Sequence, residues 1–210
     1  MVVYTGDTKS KKFIKQLAAR GWGRVLIFDK VKLYDGEPWA LDNGAYHFWR
    51  RGIAFDGHAF LDRIQKFKEW AVSVPDFLVL PDIHRGGFKS VLETAKWLPT
   101  IQGMALGWPL YFAVQDGMRF VDLEPFAEEI SGLFLGGSDR FKAETRKWVL
   151  WGHENGLKVH YGRCSTPRKV KHAYATDCDS LDSAHPLWTK ERWAEWVLAC
   201  EQRHPQGELF

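Results

Sequence analysis

The sequence predicts an α/β protein, a compact (β/α)8 barrel forming a single domain over residues 1–210. Three observations predict it. Strand-like and helix-like segments alternate along nearly the whole chain. Eight segments have the length and composition of strands, which favours a closed barrel over a doubly wound open sheet. Four polar segments, Asp42-Asn43-Gly44, Pro81-Asp82, Gln115-Asp116-Gly117 and Asp179-Ser180-Leu181-Asp182-Ser183, adjoin β-forming runs. The rim made by strand ends is where such barrels do chemistry. The chain is short for this fold, so one or two of the barrel's helices are expected to be missing.

The elements follow in order. Residues 2–5 form the first strand, and residues 9–20 a helix that stops at Gly21. Residues 24–28 are the second strand. The polar stretch 29–38 behind it lacks helical period and reads as a loop. Trp39–Leu41 is the third strand, delivering Asp42. In residues 56–70, Phe60, Ile64 and Phe67 recur at helical spacing behind Asp56 as N-cap. Residues 77–80 are strand four, delivering Asp82, and 88–98 are helical. Leu110–Val114 is strand five, delivering Gln115, and an acidic helix is expected over 121–130. Strand six, 133–135, runs into Gly136-Gly137, after which Asp139 caps a helix ending near Asn155-Gly156. Lys158–Tyr161 is strand seven, and 166–174 a basic helix with Pro167 in its first turn. Residues 179–183 are strand eight, and 189–203 close the chain as a Trp-rich helix.

Composition narrows the class. Apolar residues are 45% of the chain, enough for a substantial core, to which 11 Trp and 14 Phe contribute. The net charge of +3 permits contact with nucleic acid without demanding it. Cys164, Cys178 and Cys200 are odd in number and widely spaced, which argues for reduced thiols in the cytoplasm rather than a disulfide framework. The first residues read as a strand rather than a leader, and the apolar stretch 104–114 is too short and too broken by Gly107 and Pro109 to span a bilayer. No membrane partner is expected.

Two carboxylates across a barrel mouth suit displacement at an anomeric carbon, one attacking and the other moving protons. Asp42, Asp82, Asp179 and Asp182 are carboxylates that adjoin the strands. Asp179 and Asp182 are three apart on one strand, so they point to opposite faces and only one can reach the mouth. His84, His160 and His185 each follow or end a strand but lack the close pairing of metal ligands. Ser183-Ala184-His185 lacks a nucleophile elbow.

Taken in order, Leu41-Asp42-Asn43-Gly44-Ala45-Tyr46, Leu80-Pro81-Asp82, Ala113-Val114-Gln115, Gly132-Leu133-Phe134-Leu135-Gly136-Gly137, His160-Tyr161-Gly162 with Thr166-Pro167, and Cys178-Asp179-Ser180-Leu181-Asp182-Ser183-Ala184 resemble the motifs of the tRNA-guanine transglycosylase superfamily. The compact length is most similar to its short phage-encoded members. The resemblance implies an enzyme that exchanges guanine in a nucleic acid, DNA favoured over tRNA, for a small 7-deazaguanine base, working in the host cytoplasm. It implies that Asp42 handles protons, that Asp182 (or Asp179) is the nucleophile, and that Asp82 and Gln115 read the base beside Asn43 and Gly44. It also implies that Gly132, Leu133, Gly136 and Gly137 run along the base while Tyr161 stacks on it. The phosphates fall to Arg163, Arg168, Lys169 and Lys171. Two departures stand out: the first motif reads Asp-Asn-Gly-Ala where the family has Asp-Ser-Gly-Gly, and Cys178, Cys200 and His204 lack the spacing of the family's zinc module. Neither a metal nor another cofactor is therefore expected. The alternatives are a barrel hydrolase with the same carboxylates, such as a nucleoside N-glycosidase or a glycosidase, and a non-catalytic nucleic-acid-binding module.

Overall fold

The computed structural model describes residues 1–28, 32–71 and 73–202. The beginning of the expected loop 29–38 and the expected helix end at Arg203 lie outside the described residues, as does His204. Eight strands, β1 (Val2–Gly6), β2 (Gly23–Leu26), β3 (Trp39–Leu41), β4 (Phe77–Val79), β5 (Leu110–Val114), β6 (Gly132–Leu135), β7 (Lys158–Tyr161) and β8 (Ser180–Ser183), form a closed barrel in sequence order. Each pairs in parallel with the next, and β8 returns to β1 with Val3 opposite Leu181 and Tyr4 opposite Asp182. The helices are α1 (Lys11–Ala18), α2 (Ala45–Arg50), α3 (Gly57–Trp70), α4 (Phe88–Met104), α5 (Asp139–Lys142), α6 (Thr145–Glu154), α7 (Pro167–Ala175) and α8 (Lys190–Glu201).

Period-two alternation divides the strands between two cores. Tyr4, Val25, Ala40, Phe77, Val79, Tyr111 and Ala113 fill the lumen, with Phe134 packed against them. Rings dominate that layer: Phe77 stacks on Tyr111 at 4.4 Å and contacts His160 at 4.8 Å, and His160 stacks on Phe134 at 4.8 Å. Glycine makes room for them, since a Cβ on Gly132 would lie 2.6 Å from the Tyr111 ring. The residues between, among them Leu26, Leu41, Leu133, Leu135, Tyr161 and Leu181, face outward into the larger core beneath the helices.

The expected missing helices are found on two connections. No α-helix links β5 to β6, and none links β2 to β3 among the described residues. Behind β2 the outward-facing Arg24 replaces apolar packing with a polar plug. It is 1% exposed and donates to Glu37 through Nε (2.5 Å) and Nη2 (2.8 Å), to the Lys32 carbonyl (2.7 Å), and to Thr8 and Asp7 (3.2 Å each). Burying a guanidinium costs several kcal/mol, which only such a bidentate, fully bonded arrangement offsets.

Four expectations need correction. The acidic helix over 121–130 does not form; two 3-10 turns, Phe120–Asp122 and Glu124–Phe126, stand there. Asp122 accepts from the backbone N–H (2.9 Å) and the guanidinium (2.8 Å) of Arg119, and Pro125 denies the next turn a donor. The helix from Phe88 runs on past Leu98 and Pro99 to Met104, because Trp97, Leu98 and Ile101 are all buried against the barrel and one lost hydrogen bond does not undo that packing. Ser138, not Asp139, caps the helix after β6, its hydroxyl accepting from Phe141 N, and that helix breaks into α5 and α6. The six-residue α2, on a segment with no strand or helix assigned from sequence, stands directly after the Asp42 loop.

The polar plug is testable by urea denaturation. Glu37→Ala removes the bidentate partner of the buried guanidinium and leaves it Asp7 as carboxylate; it is expected to cost about 3 kcal/mol, and Glu37→Gln less.

Candidate active site

The C-terminal strand ends surround a cavity of about 600 Å³, inside the range of small-ligand sites. Val79, Ala113 and Phe134 form its floor, and Asp42, Asn43, Asp82, Gln115 and Asp182 line its walls.

Asp182 comes from β8, on the same face as Ser180. One carboxylate oxygen, Oδ1, accepts from His160 Nε2 and from the backbone N–H of Arg163, each at 3.0 Å. Oδ2 has no hydrogen-bond partner among the described residues, and the side chain keeps 13% of its surface open. His160 is wholly buried in the lumen, and burial holds its pKa below the ordinary value against the pull of Asp182. A neutral ring carries one N–H. That hydrogen faces the carboxylate on Nε2, leaving Nδ1 to accept the Ser180 hydroxyl at 2.8 Å. Asp182 is thus fixed from below by a histidine whose own orientation is fixed.

Asp179 is elsewhere. It precedes β8 at the opposite end of the barrel, where its carboxylate accepts from Val159 N (2.7 Å) and meets His153 Nε2 (3.0 Å). Of the two rivals only Asp182 reaches the mouth.

Asp42 follows β3 and closes a tight Asx turn, its Oδ1 accepting from Gly44 N at 2.5 Å. Gly44 takes φ 83°, a conformation that favours glycine. Burial pushes the Asp42 pKa up to about 6; the Gly44 N–H opposes this and the charge of Asp182 adds to it. Asn43 turns the other way, donating to the Leu80 carbonyl (2.6 Å) and to Asp82 Oδ1 (2.8 Å). Arg63 from α3 pins the loop from beneath by donating to the Asn43 carbonyl at 2.9 Å.

Asp82 follows β4 with its other oxygen accepting from Gln115 Nε2 at 3.1 Å. Burial drives its pKa up to about 7 despite the Asn43 and Gln115 donors, with Asp42 pushing the same way. Gln115 is a positioning residue. Its Nε2 also serves the Ile83 carbonyl and Ser90 Oγ, and its Oε1 accepts from Arg85 N at 2.6 Å. Its amide is spent on the protein.

The remaining candidates divide. Gly136 and Gly137 line the cavity; a Cβ on Gly137 would strike Phe141 and the Asp116 carboxylate, which accepts from Ser138 N at 2.7 Å and holds that loop. Gly132 lies at the start of β6, far below the mouth, and Leu133 faces the helix layer. Tyr161 also faces outward, 2% exposed, under the Lys142 ammonium, so it cannot stack on a ligand in the cavity. Pleat alternation is the reason in both cases. Arg163 and Lys169 reach the cavity, where the Arg163 guanidinium donates to the Gly137 carbonyl and Lys169 pairs with Asp139 at 2.6 Å. Arg168 and Lys171 lie on the exposed side of α7.

Lys142 was missed. It is 2% exposed at the cavity wall, donates to the Gly162 carbonyl, and sits 4.6 Å from the Tyr161 ring centroid. Burial and the neighbouring Arg163 lower its pKa to about 7, against Asp182. Its sequence neighbourhood is an ordinary basic helix, which hid it. His160 could have been found, since a polar residue at a lumen position of a strand needs a partner.

Among the described residues no group of three or more His, Cys, Asp or Glu side chains is placed to hold a metal ion, and no helix is long and apolar enough to cross a membrane. No family model and no curated protein matches the sequence. Solved structures do. "QR15, an Aldolase" is 11% identical with a TM-score of 0.59, over 96% of this chain and 97% of that one. A mandelate racemase/muconate lactonizing protein from Herpetosiphon aurantiacus is 14% identical with a TM-score of 0.54, over 89% of this chain and 56% of that one. At these identities the likeness is one of fold, a barrel shared with proteins named as enzymes.

The raised Asp42 pKa has a consequence for stability. A carboxyl whose pKa rises on folding contributes fully below its unfolded value near 4, and the contribution is lost as pH rises through about 6. Asp42→Asn keeps the Gly44 hydrogen bond and removes the charge. Its melting temperature is expected to match wild type near pH 4 and to exceed it by about 2–4 °C near pH 8, for a gain on the order of 1 kcal/mol.

Proposed function

We propose that the chain is a base-exchange transglycosylase that replaces guanine in a nucleic acid, DNA in preference to tRNA, with a 7-deazaguanine base through a covalent Asp182–C1′ intermediate. The observation that carries this is the division of labour among three carboxylates on one cavity. Asp182 has one oxygen held by two N–H donors and the other open, as a nucleophile needs. Asp42 and Asp82 have pKa values lifted toward neutrality, as proton exchange with a base needs. The order of motifs along the chain supports the same reading.

In the first half-reaction Asp182 Oδ2 bonds to C1′ of the target nucleotide and the C1′–N9 bond breaks. The electron pair leaves with guanine, and protonated Asp42 supplies the N9 proton. The acceptor base then enters. Its N9 proton passes to Asp42, N9 attacks C1′ and the ester to Asp182 breaks, giving retention overall. Asp82, held by Asn43 and Gln115, accepts from the donor edge of whichever base is bound. His160 and the Arg163 N–H keep Asp182 on the line of attack.

Incubation with labelled guanine and guanine-containing DNA tests the reading. Label entering the polymer supports it; free guanine without incorporation points instead to a hydrolase. Asp182→Ala is expected to abolish exchange, and Asp42→Asn to lower it about 10²–10⁴-fold. Without acceptor, single-turnover guanine release requires protonated Asp42 and is expected to fall as pH rises through about 6.

A further inference from the structure

Part of the exposed aromatic surface stands at the cavity mouth. Of its tryptophans only Trp49, 47% exposed, and Trp188, 63% exposed, stand open among the described residues. Trp188 lines the mouth; Trp49 belongs to α2, whose Tyr46 and Arg50 line it too. Tyr46 and Trp49 stack with an interplanar angle of 25°, and His84 packs against both at 5.0 and 4.4 Å.

Guanidinium groups lie over these rings. Arg163 and Arg50 are 4.6 and 5.9 Å from the Tyr46 centroid, Arg85 is 5.5 Å from Trp49, and Arg192 is 5.6 Å from Trp188. No carboxylate lies within ion-pair distance of any of these four arginines among the described residues. Exposed rings with guanidinium groups beside them that make no ion pair match a polymer that offers flat bases and phosphates together. A duplex hides its base faces and engages only the cations. A protein partner complementary to this surface would have to be acidic, and an acidic surface gives the open ring faces nothing to stack on.

We propose that α2 and the Trp188 turn form two stacking platforms that grip an unpaired strand on either side of the target nucleotide, so that the polymer is bound single-stranded. This rests on the nucleic-acid reading of the cavity and adds to it the state of the strand.

Fluorescence anisotropy with an oligothymidylate of about twelve nucleotides, against a duplex of the same length, tests it. The probe contains no guanine, so binding is read apart from exchange. Wild-type protein is expected to bind the single strand at least about tenfold more tightly than the duplex, Trp49→Ala and Trp188→Ala each to weaken it about 5- to 100-fold, and Trp49→Phe to restore it. Both alanine sites are exposed, and unchanged melting confirms folding. Equal affinity for duplex and single strand overturns the proposal, as do alanine variants that bind like wild type. So does a self-association, seen by sedimentation, that Trp49→Ala dissolves while strand binding stays intact. Strand binding that persists in a protein showing no exchange supports the platforms and sinks only the proposed reaction.

Discussion

A closed parallel barrel allows each strand residue two directions, into the lumen or out to the helix layer, and this restriction governs everything at the mouth. The lumen here is filled by rings, Tyr4, Phe77, Tyr111 and Phe134, with His160 among them. Tyr4 sends its hydroxyl to the Asp76 carboxylate at 2.7 Å, while His160 carries its hydrogen bond to Asp182 at the mouth. His160 joins the packed floor to the end of β8, so core packing shares with the Arg163 N–H in setting the position of Asp182. A carboxylate mounted in this way has little orientational freedom left to lose on binding a ligand.

Three carboxylates on one cavity would repel each other if all were charged in a low-dielectric site. The arrangement avoids this by giving them unequal partners. Asp182 receives two N–H donors, while the raised pKa values of Asp42 and Asp82 let either take up a proton near neutrality. Buried Lys142 and half-buried Arg163 add positive potential on the Asp182 side. Asp42 and Asp82, lifted toward neutrality, therefore stand as proton-exchanging groups opposite a carboxylate that two N–H donors hold in place.

How much of this was legible in the sequence depends on what each residue's position required. The eight strands were readable because β-branched and aromatic runs end at turn residues, and the loop behind β2 because a polar stretch without period cannot cover a barrel as a helix. Asp42, Asp82, Gln115 and Asp182 were readable as strand-end polar groups. The rivalry of Asp179 and Asp182 was visible as parity, but not which of them took the lumen face, since alternation alone does not fix the pleat. Tyr161 and Leu133 were misplaced because motif order says nothing about which face of the pleat a residue occupies. Helix α2 was invisible because six residues without a side-chain cap carry too little periodicity. Lys142 was invisible because only tertiary packing buries it.

Backbone strain ties these features together. Gly44, Arg85 and Arg163 have φ of 83°, 61° and 55°, and each follows a strand end. Each donates its backbone N–H to a side chain of the site: Gly44 to Asp42, Arg85 to Gln115, Arg163 to Asp182. Glycine is the residue such a conformation favours, and a side chain there costs on the order of 1 kcal/mol. Arginine at two of the three positions needs a reason beyond the turn. Both guanidinium groups extend to the exposed rings of α2, Arg85 over Trp49 and Arg163 over Tyr46. The same two residues thus aim an amide inward at the chemistry and a cation outward at the aromatic surface. Replacing either by glycine would relieve the turn and sever that surface from the site, so the strain is retained where the interior and the rim must be held in one register.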